Sequence, residues 1–308
     1  MSGKSSEDFS SMDIPPFNSA EPIEDVEYVD PISNKYEGYK LYNKLGQGHF
    51  GSVWKASRLS DGKIIALKII NIDQRNPQAL KDVENEVRIL KKISDPKCNP
   101  YMACLYDYKY LPQTNEFLIE MELVKGDTLD YYINRLEDSK KYKHLLAITK
   151  DVAKTLSILH NNGIIHNDVK PDNIIIDNDM APILVDFGVA CDNLSVCSMD
   201  KKVQGLCCKN VKGPNMYVSP ETIKTGGYFP ESDIWSLGVT LYLMATGSYP
   251  FRSDGSSVKE ITQSILKQDI ITLNTPNEKL NSIVNGALIK DPSKRITLGE
   301  IGRIINNK

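Results

Sequence analysis

A glycine-rich run, Gly46-Gln47-Gly48-His49-Phe50-Gly51, lies between two segments in which apolar and polar residues alternate. Alternation with a period of two is typical of β-strands, so the run is predicted to be the turn of a β-hairpin. A dinucleotide-binding loop of similar composition would instead follow one strand and begin a helix. Because glycine lets a ligand approach the backbone closely, Gly46, Gly48 and Gly51 are candidate phosphate contacts. The alternative is a glycine-rich hairpin without a ligand.

The pattern changes along the chain from strand-like to helical. Further strands are predicted at residues 64–70, 102–110 and 117–123. A helix is expected to begin at Asn76-Pro77, because asparagine caps helices well and proline suits the first helical position. Beyond Gly126 the pattern is mostly helical. Helices are predicted there at residues 145–160, 232–246 and 258–268.

These elements predict an α+β fold with two lobes, a small antiparallel β-rich N-lobe with one long helix and a larger, mainly α-helical C-lobe. The N-lobe covers about residues 38–121, a hinge covers about 122–126, and the C-lobe covers about 127–308. Residues 1–37 are rich in Ser, Asp, Glu and Pro and are predicted to form a disordered acidic arm. That arm is either a docking or regulatory tail or a solvated leader.

The bulk properties exclude several classes of protein. A net charge of −3 gives no general attraction to nucleic acid or to anionic membranes. The N-terminus lacks a signal-peptide pattern, and the longest apolar run is too short to span a membrane. The six cysteines are too few and too unevenly spaced for a disulfide scaffold. We therefore expect an intracellular, cytoplasmic protein with reduced thiols and no nucleic-acid or membrane partner, and leave a nuclear location open.

Lys68 ends an apolar strand run, where a lysine can simply extend to the surface. The following helix suggests another role, because Glu86 lies near its apolar stripe, one turn from both Val83 and Leu90. A carboxylate beside a core-facing stripe is costly unless it meets a cation. We therefore predict an ion pair between Lys68 and Glu86, which aims the lysine at phosphate.

Glu84, in contrast, falls on the outer side of the same helix. Arg88 follows one turn later, so the spacing predicts a surface ion pair between Glu84 and Arg88.

The most specific pattern is His166-Asn167-Asp168-Val169-Lys170-Pro171-Asp172-Asn173, followed by Asp186-Phe187-Gly188. Phosphoryl transfer needs positioning and charge neutralisation. Oxygen atoms of Asn173 and Asp186 can hold Mg²⁺. Asp168 can accept the proton of an attacking hydroxyl, and Lys170 can neutralise the γ-phosphate. Any one of these residues could be an ordinary turn residue, but their order and spacing after Lys68 predict phosphate chemistry.

Together these residues resemble the eukaryotic-type protein kinase family over about residues 38–305. Ser219-Pro220-Glu221 is similar to the family's Ala-Pro-Glu element, and Asp233-x-Trp235 begins its C-lobe helix pattern. The resemblance implies that Arg295 pairs with Glu221. The Lys170-Pro171-Asp172-Asn173 string is similar to serine/threonine rather than tyrosine kinases.

The resemblance also implies a nucleotide pocket for ATP with Mg²⁺. Met121 would be the gatekeeper residue, and the backbone from Glu122 to Val124 would meet adenine. Asp127 would reach the ribose. The side chains implied to sandwich the base are Val53, Ala66 and Ile175. The expected partner is a protein substrate with Ser or Thr acceptors, and the expected state is a monomer.

Two positions depart from the family pattern. Asn167 stands where the family usually has an arginine that grips a phosphate on the activation segment, here residues 186–221. We therefore expect activity that does not require phosphorylation of that segment. Pro214 stands where the family has a threonine whose hydroxyl touches the catalytic aspartate and lysine, which implies altered transfer efficiency and substrate docking.

The activation segment contains four cysteines, Cys191, Cys197, Cys207 and Cys208. Their spacing matches no zinc knuckle, so free thiols are expected, with zinc binding and redox control as alternatives. His49 is expected to be an exposed loop residue. His166 is expected to stabilise its loop by packing and hydrogen bonding rather than to carry protons.

Three functional hypotheses follow. The first is an active serine/threonine protein kinase. The second is a pseudokinase that acts as a binding or scaffold module, which the departures at Asn167 and Pro214 keep open. The third is a small-molecule kinase with the same fold, which the substrate-loop region disfavours.

Overall fold

The computed structural model of the chain describes residues 36–48, 51–192, 216–251 and 257–307. The predicted acidic arm lies outside these residues, apart from Tyr36 and Glu37. Other sequence predictions that fall outside them concern His49, Cys197, Cys207, Cys208 and Pro214.

The alternating segments form five strands of one antiparallel sheet. They are β1 (Tyr39–Gly48), β2 (Gly51–Arg58), β3 (Ile64–Asn71), β4 (Leu105–Leu111) and β5 (Glu116–Glu122). Their order in the sheet is β1-β2-β3-β5-β4. Gly48 is paired with Gly51, which confirms the predicted hairpin. The fourth strand begins later than predicted, because Met102 makes an isolated bridge to Leu184 instead of joining the sheet.

Helix α1 (Pro77–Ser94) is the long helix predicted for the N-lobe. The Asn76 side chain accepts a hydrogen bond from the Gln78 amide at 3.0 Å, and proline occupies the first turn, as the sequence predicts. Val83, Val87 and Leu90 are buried, so the predicted stripe faces the core. The same core cluster contains residues of both lobes, so α1 is packed between the sheet and the C-lobe.

The described part of the C-lobe contains seven further helices. They are α2 (Leu129–Asn134), α3 (Asp138–Asn161), α4 (Pro220–Thr225), α5 (Pro230–Thr246), α6 (Val258–Lys267), α7 (Glu278–Ala287) and α8 (Leu298–Asn306). Nearly every residue of α5 is buried, including Trp235, so this helix forms the centre of the lobe. The arrangement confirms the predicted α+β fold.

Short strands at the junction of the lobes frame the site. They are β6 (Gly126–Thr128), β7 (Ile164–Ile165), β8 (Ile174–Asp177), β9 (Pro182–Leu184) and β10 (Cys191–Asp192). Strands β6, β8 and β9 form one sheet, and β10 is paired with β7. The chain between β7 and β8 and the chain between β9 and β10 therefore lie side by side. They carry the two motif clusters that the sequence singles out.

A disulfide joins Cys98 and Cys104, whose Cα atoms lie 5.4 Å apart. The expectation that all thiols are reduced is therefore wrong for this pair, because the chain after α1 turns back and places a buried cysteine beside an exposed one. Cys191 is a buried thiol, as expected. None of the described helices has the length and apolar character needed to cross a membrane.

Candidate active site

Lys68 on β3 and Glu86 on α1 form a buried ion pair, with 2.6 Å between Nζ and Oε1. The pair exists because the inward stripe of α1 carries Glu86 towards the sheet, as the helix geometry predicts. Glu84 is exposed, also as predicted. The predicted pairing of Arg88 with Glu84 is wrong. Arg88 donates instead to Asp192 at 2.7 Å, a tertiary partner that helical spacing does not reveal.

Asp186 joins this pair from the C-lobe. Lys68 Nζ donates to Asp186 Oδ1 at 2.9 Å, and the Gly188 amide donates to the same oxygen at 3.3 Å. Asp186 has a φ of 59°, in the left-handed region that non-glycine residues rarely occupy. A Cβ at residue 188 would lie 3.1 Å from Lys68 Nζ, so glycine leaves the room that this arrangement needs. The lysine therefore connects both lobes.

The charges of this cluster stabilise one another. Burial lowers the pKa of Lys68, but attraction to Glu86 and Asp186 outweighs burial and raises the pKa above its ordinary value. Burial raises the pKa of Asp186, but the charge and hydrogen bond of Lys68 outweigh it and lower the pKa to about 2. Burial also raises the pKa of Glu86, against the attraction of Lys68. Lys68 and Asp186 are therefore both charged at neutral pH.

Asp168 lies at the centre of a second cluster. Lys170 Nζ and Asn173 Nδ2 each donate to its Oδ2 at 2.8 Å. Asn173 also donates to the Asp168 carbonyl, because a 3₁₀ turn at Pro171–Asn173 folds the chain back on itself. Burial lowers the pKa of Lys170, but the nearby Asp168 carboxylate outweighs it and raises the pKa. The cluster therefore holds the Asp168 carboxylate beside the Lys170 cation.

Asp233, in the first turn of α5, anchors the loop before Asp168. Its carboxylate accepts hydrogen bonds from the amides of His166 at 2.9 Å and Asn167 at 2.8 Å, and it lies 2.8 Å from His160 Nε2. Neither Asp233 nor His160 was predicted from the sequence to have this role. Glu231 and Asp233 both lie in the first turn of α5, but only Asp233 is buried. The available signal was the position of Asp233 directly before the apolar run that begins at Ile234, since a buried carboxylate requires partners.

His166 is fully buried. Its ring meets that of Phe187 edge to face at 4.9 Å, and its Nε2 lies 3.2 Å from the Val185 carbonyl oxygen. The expected packing and hydrogen-bonding role is therefore confirmed.

Asn167 has a φ of 68°, a conformation that asparagine tolerates better than most residues. Its Nδ2 donates to the Val189 carbonyl at 3.0 Å and to Cys191 Sγ at 3.3 Å. The side chain at this position therefore holds backbone that follows Asp186-Phe187-Gly188. It offers no positive charge to the activation segment.

The residues predicted to contact the nucleotide lie on strands of the N-lobe sheet, in the connection to the C-lobe and on β8. Val53 is on β2, and Ala66 on β3 is paired with Met121, the predicted gatekeeper. Glu122 ends β5 and Val124 follows it in the connection to the C-lobe. At Gly51, an added Cβ would lie 2.1 Å from the Ile69 carbonyl oxygen, so any larger residue would push β2 away from β3.

On the C-lobe side, Ile175 on β8 is paired with Thr128 of β6. Asp127, the predicted ribose contact, already accepts a hydrogen bond from Arg135 at 2.9 Å. Both side chains of this pair are substantially exposed, so Arg135 can yield to a ribose hydroxyl or remain beside it.

A second buried ion pair lies deeper in the C-lobe. Arg295 Nη1 and Nη2 donate to the two carboxylate oxygens of Glu221 at 2.6 and 2.9 Å. Burial raises the pKa of Glu221, but the hydrogen bonds and charge of Arg295 outweigh it and lower the pKa. The predicted pairing is therefore confirmed.

Comparison with known proteins gives the same family. A family model described as protein kinase domain matches residues 39–304. Serine/threonine-protein kinase cds1 of Schizosaccharomyces pombe is 31% identical over 286 residues, which cover 87% of this chain and 58% of the relative. Serine/threonine-protein kinase TIO of Arabidopsis thaliana is 30% identical over 263 residues, which cover 85% of this chain and 18% of the relative.

Serine/threonine-protein kinase fused of Drosophila melanogaster is 29% identical over 259 residues, which cover 84% of this chain and 30% of the relative. The chain thus spans less than two-thirds of the length of each of these relatives. The family match nevertheless extends over far more than half of this chain and includes both clusters around Lys68 and Asp168. The fold, the two clusters around Lys68 and Asp168 and the match to the family model together show that the chain belongs to the protein kinase domain family.

Proposed function

We propose that the chain is an active protein kinase that transfers the γ-phosphate of ATP to serine or threonine hydroxyls of protein substrates. The observation that most supports this proposal is that Lys68 Nζ donates hydrogen bonds to Glu86 and to Asp186 at the same time. The N-lobe lysine and the C-lobe carboxylate are thus already held together. Phosphoryl transfer depends mainly on such positioning of charge, and little reorganisation remains to be done when substrate binds.

In this proposal Asp168 is the base. Both of its hydrogen bonds from Lys170 and Asn173 reach Oδ2, so Oδ1 can accept the hydroxyl of the substrate. The proton of that hydroxyl passes to Asp168 as the oxygen attacks the γ-phosphorus. The bond from that phosphorus to the β–γ bridging oxygen breaks, and ADP leaves. Lys170 stays beside the carboxylate and can neutralise the charge that develops on the transferred phosphoryl group.

Mg²⁺ is the implied cofactor, and Asn173 and Asp186 suit it. The Asn173 amide nitrogen is used in donating to Asp168, which leaves the amide oxygen for a cation. Oδ1 of Asp186 accepts from Lys68, which leaves Oδ2, and the side chain is 45% exposed.

The described residues include no group of three or more His, Cys, Asp or Glu side chains that could hold a metal ion by themselves. Mg²⁺ typically uses one or two protein ligands with phosphate oxygens and water, and it neutralises triphosphate charge when bound. The donor set fits that pattern.

The nucleotide would lie under the glycine-rich hairpin. Gly46, Gly48 and Gly51 would allow the backbone close to the phosphates, and Val53, Ala66 and Ile175 would enclose the base. The backbone between Glu122 and Val124 would meet adenine, and Asp127 the ribose. These contacts and the monomeric state belong to the proposal.

The direct test incubates the protein with labelled ATP, Mg²⁺ and generic protein acceptors, beside an Asp168→Asn variant. We expect label on serine and threonine, and a loss of about 10²–10⁴-fold in the variant, because a positioned base contributes that much to rate. Phosphoamino-acid analysis identifies the acceptor. ATP binding without transfer would identify a pseudokinase, and transfer only to small molecules would identify the third hypothesis. Transfer that persists in the variant would contradict the role of Asp168.

The proposal includes activity without phosphorylation of the activation segment. Asn167 carries no charge for a phosphate, and its amide already holds Val189 and Cys191. The segment contains Ser195, Ser198 and Ser219 and no threonine.

Ser219 must stay in any test, because its buried hydroxyl caps α4. A Ser195→Ala/Ser198→Ala variant should therefore keep wild-type kcat. Steady-state kinetics of both proteins after phosphatase treatment measure this, and a tenfold lower kcat in the variant would overturn the expectation.

A further inference from the structure

Asp192 is the last residue of the activation segment that the structure describes before residue 216, and its carboxylate is only about 1% exposed. Arg88 Nη1 on α1 donates to both of its oxygens, at 2.9 and 2.7 Å. A buried carboxylate is costly unless it is paired and hydrogen-bonded, so this contact strongly favours the position of α1 in which Arg88 reaches Asp192.

Asn85, on the same helix, makes a second contact with this segment. Its Nδ2 donates to the Ala190 carbonyl at 3.0 Å, and its Oδ1 accepts a hydrogen bond from Arg88 Nη2. Asn85 and Arg88 lie on either side of Glu86 in sequence. The contacts that fix their position therefore also fix the position of the residue that pairs with Lys68.

The C-lobe also contacts this part of the segment, at residues 189–192. Asn167 Nδ2 donates to the Val189 carbonyl, next to the carbonyl that Asn85 binds. Cys191 and Asp192 are paired with β7, the strand that immediately precedes the loop of residues 166–173. Residues 189–192 are thus bound by one asparagine amide from each lobe, in addition to the ion pair with Arg88.

We propose that Asn85, Arg88 and Asp192 form a clamp that positions α1, so that Glu86 remains on Lys68 and Lys68 on Asp186. This inference rests on the proposed function and specifies its regulation. The fixed anion that orders this region is the Asp192 carboxylate, which is part of the chain. Ordering of a segment by a charge paired with arginine is the usual effect of an added phosphate, and here Asp192 supplies the charge permanently. Arg88 is a positioning residue in this proposal, because it acts through Glu86.

The test compares Arg88→Ala with Arg75→Ala as the matched control. Arg75 precedes α1 and pairs with Asp73, but its side chain is 90% exposed and it does not reach the activation segment in this pairing. Two measurements are made on each protein, kcat with a generic acceptor and hydrogen exchange of backbone amides by mass spectrometry. Exchange reports the position of α1 independently of catalysis.

We expect Arg88→Ala to lower kcat by roughly 5- to 150-fold, the usual range of coupling between sites, and to leave the KM for ATP within a few-fold. Amides of α1 should exchange faster, while those of α5 keep the wild-type rate. Arg88→Lys retains a cation for Asp192 and should lose less activity than Arg88→Ala. Adding Asp192→Asn to Arg88→Ala should cause no further loss of kcat, because the ion pair is already absent and the buried carboxylate that lost Arg88 is then neutral.

Arg88→Ala and Arg75→Ala with equal kcat and equal exchange would overturn the clamp. Equally faster exchange in α1 and α5 would also overturn it, since that result describes general destabilisation. If the wild-type protein transfers no phosphate, the proposed function fails, and the exchange measurement still decides whether the clamp holds α1.

Discussion

Two buried ion pairs in this kinase have the same chemistry and different surroundings. Lys68–Glu86 and Arg295–Glu221 both have a nitrogen–oxygen distance of 2.6 Å. Lys68 also contacts Asp186, whose side chain is 45% exposed at the cleft. Arg295 is enclosed, and its remaining hydrogen bonds go to the carbonyls of Ile289 and Glu231. The Lys68–Glu86 pair is therefore connected to a partly exposed carboxylate, and we call it the open pair. The Arg295–Glu221 pair is enclosed within the C-lobe, and we call it the sealed pair.

The comparison shows that burial of an ion pair does not by itself indicate function. A buried pair costs desolvation free energy wherever it lies, and the cost is offset by close geometry and further hydrogen bonds. The further partners reveal the role. Carbonyls of the same lobe indicate a fixed architecture, whereas a half-exposed carboxylate from the other lobe indicates a place where a ligand can join the network.

The largest expected effect is on stability, at the sealed pair. Arg295→Met leaves Glu221 buried without a cation and should lower the free energy of unfolding by about 3–5 kcal/mol. Urea unfolding measures it. Adding Glu221→Gln should recover part of the loss, because the uncompensated charge is then removed. The kcat per folded molecule should stay at the wild-type value, and a tenfold decrease in folded protein would show that the two pairs do not differ in role.

The next effect is on catalysis, at the open pair. Lys68→Met combined with Glu86→Gln removes both charges at similar volume, and Asp186 then relies on solvent. We expect transfer to fall about 10²–10³-fold, because a preorganised charge at the phosphates is lost. The free energy of unfolding should change by clearly less than the roughly 3–5 kcal/mol expected for Arg295→Met, because both charges of the buried pair are removed together.

Lys109→Met is the matched control for that experiment, since Lys109 is an exposed lysine of the same sheet. It should leave both the rate of transfer and the free energy of unfolding unchanged. If the double variant instead loses several kcal/mol of stability and little activity, the contrast between the two pairs is wrong.

The smallest expected effect is on how the free energy of unfolding depends on acidic pH. The pKa of Glu221 is lower in the folded protein than its ordinary value near 4.5. The resulting stabilisation is present above pH 4.5 and is lost as the pH falls towards the folded pKa. The Arg295→Met/Glu221→Gln variant lacks this pH-dependent stabilisation, because it has no carboxylate at residue 221. Its free energy of unfolding should therefore fall less steeply below about pH 5 than that of the wild type, by at most about 1.4 kcal/mol per pH unit. Parallel curves from urea unfolding would contradict the assignment.

The parts of the site that follow from local geometry were predictable. The periodicity of one helix selects Glu86 over Glu84, and the structure pairs Glu86 with Lys68. The predicted hairpin and the start of α1 at Pro77 also follow from short-range rules, and both are confirmed.

The parts that depend on distant segments were not predictable in this way. Spacing within an isolated helix paired Arg88 with Glu84, but the packed helix meets Asp192, which is 104 residues away in sequence. Asp186 bonds Lys68 only because the two lobes face each other, and no local pattern encodes that distance. The disulfide at Cys98 depends likewise on how the loop after α1 closes on Cys104.

Asp233 anchors the loop of residues 166–173 to α5. The distances within the site are therefore of two kinds, those within the C-lobe and those between the lobes. Asp168, Lys170 and Asn173 follow a backbone fixed to the buried helix α5, so their mutual distances belong to one rigid frame of reference. Lys68 belongs to the other frame, together with Glu86. The 2.9 Å contact between Lys68 and Asp186 joins the two frames. The contacts of Asn85 and Arg88 with Ala190 and Asp192 join them as well. The distance between Lys68 Nζ and Asp186 Oδ1 therefore measures how closely the two lobes approach each other at the site.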